Sequence, residues 1–258
     1  MTANAPGAEQ PLVAHLLELR TRLLRAICGV LLVAVPLMFV GNQLYTLVAA
    51  PLLQFLPPGS SMIATEVASP FFAPIKLAFV AGVVLAMPWV LYQVWAFVAP
   101  GLYRSEQRFV MPLLASSTLL FYAGIAFAYF GVLPLVFKFI VGIAPAGVAV
   151  MTDINHYLSF VLGMFVVFGV AFETPVAIVL LVKAGFVTPA KLASIREYVF
   201  LGAFVVGAIL TPPDVLSQTL LALSIYLLFE IGIVAARLMV PGSRAVEEQQ
   251  KLESMNRE

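Results

Sequence analysis

Long apolar runs, separated by short polar or proline-rich stretches, follow one another along the whole chain. A helix needs about 20 apolar residues to cross a bilayer, so these runs predict transmembrane helices. The six predicted spans lie at about residues 23–40, 72–97, 110–137, 157–182, 198–210 and 215–236. The fifth covers only about 20 Å, at about 1.5 Å per residue, and is short for a hydrocarbon core of about 30 Å. We therefore expect an all-α membrane protein with six transmembrane helices.

The segments outside the spans carry most of the polar residues. Residues 12–27 predict an amphipathic helix that leads into the first span, with leucines on one face and charged residues on the other. Residues 41–70 and 138–156 are predicted connections, each with a proline–glycine turn signal. Residues 1–240 are expected to form one six-span domain, followed by a charged, disordered tail at 241–258.

Composition agrees with a membrane protein and excludes several functions. The chain is 62% hydrophobic and only 10% charged, whereas soluble domains carry about 25% charged residues. A net charge of +1 gives no electrostatic case for nucleic acid. One cysteine and two scattered histidines have no metal-ligand spacing. With no phosphate loop and no visible catalytic set, we expect neither an enzyme nor a bound metal or cofactor.

Basic residues predict the orientation of the spans. Twelve of the 14 Lys and Arg residues fall on one side, in the amino-terminal helix, two inner loops and the tail. Only Lys76 and Lys138 fall on the other side. Lys and Arg are enriched in cytoplasmic loops, so both termini are predicted to be cytoplasmic.

The turn-rich stretch at residues 95–108, between the second and third spans, is the first candidate site. It carries Phe97 and Glu106 on a basic, predicted cytoplasmic loop. Glu18, in the amphipathic helix, should lie at the same membrane depth, so both carboxylates could bind one guanidinium ligand. The alternatives are an intrahelical pair of Glu18 with Arg22, a helix-capping Glu106, and an interfacial aromatic role for Phe97.

Glu173 is the second candidate, because it lies inside the fourth apolar run. A charged side chain at the centre of a span costs roughly 2.5 to 3.5 kcal/mol on insertion scales. Pro175 follows and should kink the helix. Glu173 could bind a proton, line a hydrated groove or contact a partner; alternatively it is protonated and hydrogen-bonded to a neighbouring span. A proton-coupled small-solute transporter using Glu173 is therefore a second functional hypothesis.

Several motifs together resemble one family. They are HLLELRTRL (15–23), MIATEVASPFFAPIKL (62–77), YQVWAFVAPGLYRSE (92–106), SFVLGMFVVFGVAFETPVAIVLL (159–181) and GAFVVGAILTPPDVLSQTLLA (202–222). In this order they resemble TatC, the multi-span core of the twin-arginine protein translocase, over about residues 10–240.

The resemblance implies a cupped, glove-like arrangement in which the fifth and sixth spans are short. It implies a non-enzymatic receptor in the bacterial inner membrane that binds twin-arginine signal peptides of folded cargo. Transport would use the proton motive force, with single-span TatA- and TatB-like partners and a homo-oligomeric complex in membrane lipid.

The resemblance also implies roles for particular residues. These are signal-peptide binding by Glu18, Arg20, Phe97 and Glu106; an intramembrane polar role for Glu173; partner docking by Thr211 and Gln218; and structural roles on the outer face for Pro51 and Asp214.

Overall fold

A computed structural model describes residues 9–55, 61–98, 110–143, 151–210 and 215–240. Within these ranges every regular element is helical, and Ile63 and Asp153 form an isolated bridge. The helices are α1 (Glu9–Leu37), α2 (Gly41–Leu53), α3 (Ser69–Leu85), α4 (Met87–Val98), α5 (Val110–Phe127), α6 (Leu133–Gly142), α7 (Ile154–Ala171), α8 (Thr174–Lys183), α9 (Pro189–Ser194), α10 (Arg196–Leu210) and α11 (Val215–Met239). The all-α prediction is confirmed for the described part of the chain.

Four helical stretches are long and apolar enough to cross a membrane: Ala14–Leu53, Met111–Gly142, Ile154–Lys183 and Val215–Met239. The pair α3 and α4 makes a fifth if its 50° bend lies within one span. Helix α10 has 15 residues, about 22 Å at about 1.5 Å per residue, and is too short to qualify by length. The described helices therefore support four or five spans, and the count of six stays a prediction.

Two helices extend into regions predicted to be connections. A 3₁₀ turn at Met38–Val40 joins α1 to α2, so helix continues to Leu53 in the segment that the sequence predicted to be a connection. A π-helical turn at Ala128–Val132 joins α5 to α6, which ends at Gly142 rather than near residue 137. Few polar residues interrupt either stretch, so backbone hydrogen bonding favours continued helix in an apolar environment.

Packing divides the chain into two compact units, one within Met1–Tyr45 and Pro74–Thr118, the other within Thr46–Ala73 and Leu119–Glu258. In the first unit, α1 packs along α4. Gly29 on α1 lies directly beneath the indole of Trp89, where any Cβ would clash with the ring. The indole Nε1 also donates a hydrogen bond of 3.0 Å to the Arg25 carbonyl oxygen. A glycine and a tryptophan thus fix the distance between these two helices.

The core of the second unit lies between α8 and α11. Buried aliphatic side chains of the two helices meet in a cluster that also includes Leu192 of α9. Gly232 on α11 lets the helices approach closely, since a Cβ there would lie 2.6 Å from Ile178 Cδ1 and 3.0 Å from the Pro175 Cα. The members of the cluster are Ile178, Val179, Val182, Leu192, Phe229, Ile233 and Ala236.

Two tyrosines bind the backbone of α2 beside its internal proline. Pro51 has no N–H, so the Leu47 carbonyl four residues earlier lacks its usual helical donor. The Tyr129 hydroxyl donates to that carbonyl oxygen at 2.8 Å, and the Tyr157 hydroxyl donates to the next one, Val48 O, at 2.6 Å. Tyr157 is almost fully buried. The hydrogen bond from Tyr129 explains how α2 accommodates a proline within its length, and the bond from Tyr157 adds a second attachment to the same turn.

A buried carboxylate, Asp153, caps α7 and holds an extended segment against it. Its Oδ1 accepts from the backbone N–H groups of Asn155 at 2.8 Å and His156 at 3.1 Å. Its Oδ2 accepts from the Thr65 N–H at 3.0 Å and the Thr65 hydroxyl at 2.6 Å. These hydrogen bonds, those from Thr65 above all, hold the pKa of Asp153 well below its ordinary value.

We predict that Tyr129→Phe lowers stability by about 1 to 3 kcal/mol, because the Leu47 carbonyl loses its donor in an apolar setting. Pro51→Ala restores a backbone N–H four residues after Leu47, where it can donate to the Leu47 carbonyl. Tyr129→Phe should therefore lower stability much less when Pro51→Ala is also present. Thermal unfolding of the four proteins in detergent measures this coupling, with Tyr198→Phe, an exposed tyrosine of α10, as control. Equal costs in both backgrounds would contradict the interpretation.

We also predict that the contribution of Asp153 to stability depends on pH. Because its pKa is depressed in the folded protein, the charged form contributes fully above the ordinary Asp pKa of about 3.9 and less as the pH falls below it. Melting temperatures of the parent protein and Asp153→Asn should therefore differ most near neutral pH and begin to converge only below about pH 4. Glu66→Gln, at an exposed acid of the same segment, is the control. A difference in melting temperature between the two proteins that stays constant from neutral pH to about pH 3 would contradict this stabilising role of the Asp153 carboxylate.

Candidate functional site

The carboxylate of Glu18 lies on α1, close to the contact with α4. Arg22, one turn later, donates from Nη2 to Glu18 Oε1 at 3.3 Å. The Glu18 side chain is 37% exposed and that of Arg22 is 24% exposed. The intrahelical pair that the sequence offered as an alternative is therefore present, but it is long and leaves the carboxylate accessible. Such exposed helix pairs contribute only a few tenths of a kcal/mol. Arg20, on the same helix, is exposed.

Phe97 lies near the end of α4 and stacks on His15 of α1. The two ring centroids are 4.4 Å apart and the ring planes differ by 25°. His15 is one helical turn from Glu18, and side chains three apart on a helix lie on the same face. The structure thus brings Phe97 to the same end of the α1–α4 pair as Glu18. The sequence did not single out His15 as a partner of Phe97.

The sequence predicts that the carboxylates of Glu18 and Glu106 lie close together, with Glu106 in the segment after α4. Glu106 lies outside the described residues, so its distance from Glu18 stays a prediction. Thr211 and Asp214, between α10 and α11, also lie outside the described residues, so their roles stay predictions.

Glu173 lies at the junction of α7 and α8. The helices are separated by Phe172 and Glu173, and Pro175 follows in the first turn of α8. The Glu173 carbonyl still accepts from Ala177 N–H at 2.9 Å, and its N–H donates to Val170 O at 3.0 Å. A short turn, with most backbone hydrogen bonds retained, therefore carries this acid within the stretch Ile154–Lys183.

Gln218 contributes to the contact between α10 and α11. Its Nε2 donates to the Phe204 carbonyl oxygen at 3.2 Å. A Cβ at Gly207 would lie 3.2 Å from Gln218 Cγ, so the two helices are close at this point. The side-chain amide of Gln218 therefore links α10 and α11. The sequence analysis predicted a docking role for Gln218 and did not predict this contact.

An ion pair at the other end of α10 and α11 was also not predicted from the sequence. Arg196 Nε lies 2.6 Å from Glu230 Oε1, and Arg196 Nη2 donates to Oε2 at 2.8 Å. The ion pair therefore includes one charge-assisted hydrogen bond, from Nη2 to Oε2. The available signal was an acid inside the apolar sixth run, which requires a cationic or hydrogen-bonding partner. In the described ranges no group of three His, Cys, Asp or Glu side chains could hold a metal ion.

Comparison with known proteins agrees with the motifs and the helices. Residues 14–223 match the model of the family described as Sec-independent protein translocase protein (TatC). The Sec-independent protein translocase protein TatC of Escherichia coli (strain K12) is 57% identical over 239 residues, 93% of each chain. That of Azotobacter chroococcum mcd 1 is 58% identical over 235 residues, covering 90% of this chain and 92% of the relative.

A solved structure is similar over nearly its whole length. The crystal structure of the twin-arginine translocase receptor TatC matches with a TM-score of 0.79 and 41% identity, covering 87% of this chain and 98% of that one. This chain, with several apolar helices of spanning length, is therefore a multi-pass membrane protein of the TatC family, a transport subunit of the Sec-independent protein translocase.

Proposed function

We propose that this chain is the receptor that binds twin-arginine signal peptides of folded proteins at the cytoplasmic face of the bacterial inner membrane. The observation that carries the proposal is the accessible Glu18 carboxylate beside the stacked Phe97 and His15 rings, at one end of the α1–α4 pair. The bias of basic residues supports a cytoplasmic position for this end. The family supports a role in protein export and disfavours the small-solute transporter that Glu173 suggested.

The chemistry of Glu18 suits an incoming guanidinium. Arg22 contacts Oε1 at 3.3 Å, which is longer than the 2.7 to 2.9 Å typical of a strong charge-assisted hydrogen bond. A signal-peptide arginine can therefore bind the carboxylate at little cost in lost intrahelical contact. Glu106 is the proposed second carboxylate, and Arg20 is proposed to belong to the same site.

Phe97 is proposed to contact the apolar residues that accompany the arginine pair. His15 covers one face of its ring at 4.4 Å, so the peptide would meet the opposite face or the ring edge. The aromatic ring can then pack against an aliphatic side chain or a guanidinium plane. The hydrophobic part of the peptide would continue into the membrane, with Glu173 as its proposed intramembrane polar contact.

Partner docking is proposed for the hairpin of α10 and α11. Large apolar side chains on α10, spaced at three and four residues, remain exposed: Tyr198 at 76%, Leu201 at 64%, Val205 at 52% and Ile209 at 76%. This stripe fits the apolar face of a single-span TatA- or TatB-like helix. Gln218 and Thr211 would act near one end of the hairpin, and the complex is proposed to be homo-oligomeric.

We predict that Glu18→Gln lowers affinity for a twin-arginine signal peptide by about tenfold, because a hydrogen bond to a charged group contributes about 1.5 to 3 kcal/mol before solvent screening. Discrimination against a twin-lysine peptide should fall as well, since lysine cannot form the bidentate contact. Peptide binding to the purified protein in detergent measures both. Glu197→Gln, an exposed acid at the start of α10, is the matched control. Unchanged binding by Glu18→Gln, or an equal loss with Glu197→Gln, would count against the site.

We predict that Leu201→Asn reduces co-purification of the single-span partners several-fold, because it places a polar amide in an apolar helix contact. The melting temperature of the isolated chain should hardly change, since Leu201 is exposed within it. Leu119→Asn on α5, at a similarly exposed leucine, is the control and should retain the partners. Partner yields that fall equally in both variants would argue against docking on α10.

A further inference from the structure

A groove of about 690 Å³ opens on the first unit where α1 passes the bend between α3 and α4. The 50° bend at Ala86 separates the two helices, and Trp89 and Pro88 form one wall of the groove. The opposite wall is α1, where Cys28 and Leu32 face the space. The groove thus follows from a broken helix packed against a continuous one.

The lining of this groove is apolar except at one end. Of the nine residues that line it, Arg25 alone is charged, and Arg25 is exposed. The indole N–H of Trp89, the other evident donor in the wall, already binds the Arg25 carbonyl at 3.0 Å. The groove therefore offers one cation at its end and hydrocarbon along its length, which matches an amphiphile with an anionic head.

The position of Arg25 in the chain also favours binding of an anionic lipid head group. It belongs to the basic segment with Arg20 and Arg22, which the distribution of Lys and Arg assigns to the cytoplasmic interface. Glu18 pairs with Arg22, at 3.3 Å, and not with Arg25. Basic pockets between membrane helices on the cytoplasmic side are typical sites for anionic phospholipid head groups.

We propose that this groove is a binding site for one anionic phospholipid of the cytoplasmic leaflet. The Arg25 guanidinium binds the lipid phosphate, and an acyl chain lies along Leu32, Val33 and Leu85. A partner helix fits less well: a helix is about 10–12 Å across, so about 690 Å³ holds only about one to two of its turns. The site is separate from the peptide-binding role proposed above and does not depend on it.

The test uses Trp89 as a reporter in the full-length chain. The chain has two tryptophans, and Trp95 is buried at 6% exposure, so Trp95→Phe leaves Trp89 as the sole indole. The protein is reconstituted in phosphatidylcholine vesicles that contain a series of increasing fractions of either dibrominated phosphatidylglycerol or dibrominated phosphatidylcholine. Bromine on the acyl chain quenches an indole that it contacts.

We expect half-maximal quenching at about a fivefold lower fraction of brominated phosphatidylglycerol than of brominated phosphatidylcholine. A factor of about five is the preference for anionic lipid that one basic residue near the membrane surface provides. Arg25→Gln should abolish this preference, whereas Lys138→Gln, at a basic residue on α6, should retain it. Equal quenching by both lipids would mean ordinary boundary lipid and would overturn the proposal. Weak quenching by both would overturn it too, and would indicate a groove closed by protein.

A second measurement does not require a tryptophan variant. Cys28 is the one cysteine in the chain, lines the groove and is exposed. A membrane-permeant maleimide should modify it several-fold more slowly when phosphatidylglycerol is present, and Arg25→Gln should remove that protection. Modification rates independent of head group in the parent protein would contradict the site.

Discussion

Backbone hydrogen bonding in an apolar surrounding is the constraint on which the helical framework depends. An unsatisfied carbonyl in hydrocarbon costs several kcal/mol, yet this chain carries prolines inside its helices. Tyr129 binds the carbonyl that Pro51 leaves without its helical donor, and Tyr157 binds the next one. The Trp89 indole also donates to a backbone carbonyl of α1, that of Arg25. Aromatic side chains with one polar atom thus act both as packing groups and as hydrogen-bond donors to neighbouring helices.

This framework explains why the proposed peptide site can be small and still well positioned. The α1–α4 pair is held at two points, by Trp89 over Gly29 and by the His15–Phe97 stack. Glu18 lies on α1 one turn from His15, so its carboxylate is carried by packed helices rather than by a loop. In the second unit, Gln218 and the Arg196–Glu230 pair likewise hold α10 against α11. These contacts leave large apolar side chains of α10 exposed, which is the face where a partner helix is proposed to dock.

Features that depend on local pattern could be predicted from the sequence, and those that depend on distant contacts could not. Apolar runs predicted helix throughout, and Glu173 with Pro175 marked the junction of α7 and α8. Residues 41–53, part of the segment 41–70 that the sequence predicted to be a connection, are helical. The sequence did not predict this helix, because a proline inside a helix usually ends it and the tyrosine donor that accommodates Pro51 is distant in sequence. Asp153 binds Thr65, 88 residues away in sequence, and no periodicity reveals such a pairing. For the proposed site, the motifs singled out Glu18 and Phe97 as candidates, whereas the stacking of His15 on Phe97 depends on the fold.

The central claim is that the α1–α4 end receives the arginine pair of a signal peptide. The most direct measurement is a photo-crosslinking map, with a photoreactive residue next to the two arginines and cross-linked sites identified by mass spectrometry. We predict cross-links to α1 around Glu18 and to the end of α4 around Phe97, lost when the two arginines are replaced by glutamines. Cross-links confined to α10 and α11, or unchanged without the arginines, would contradict the account.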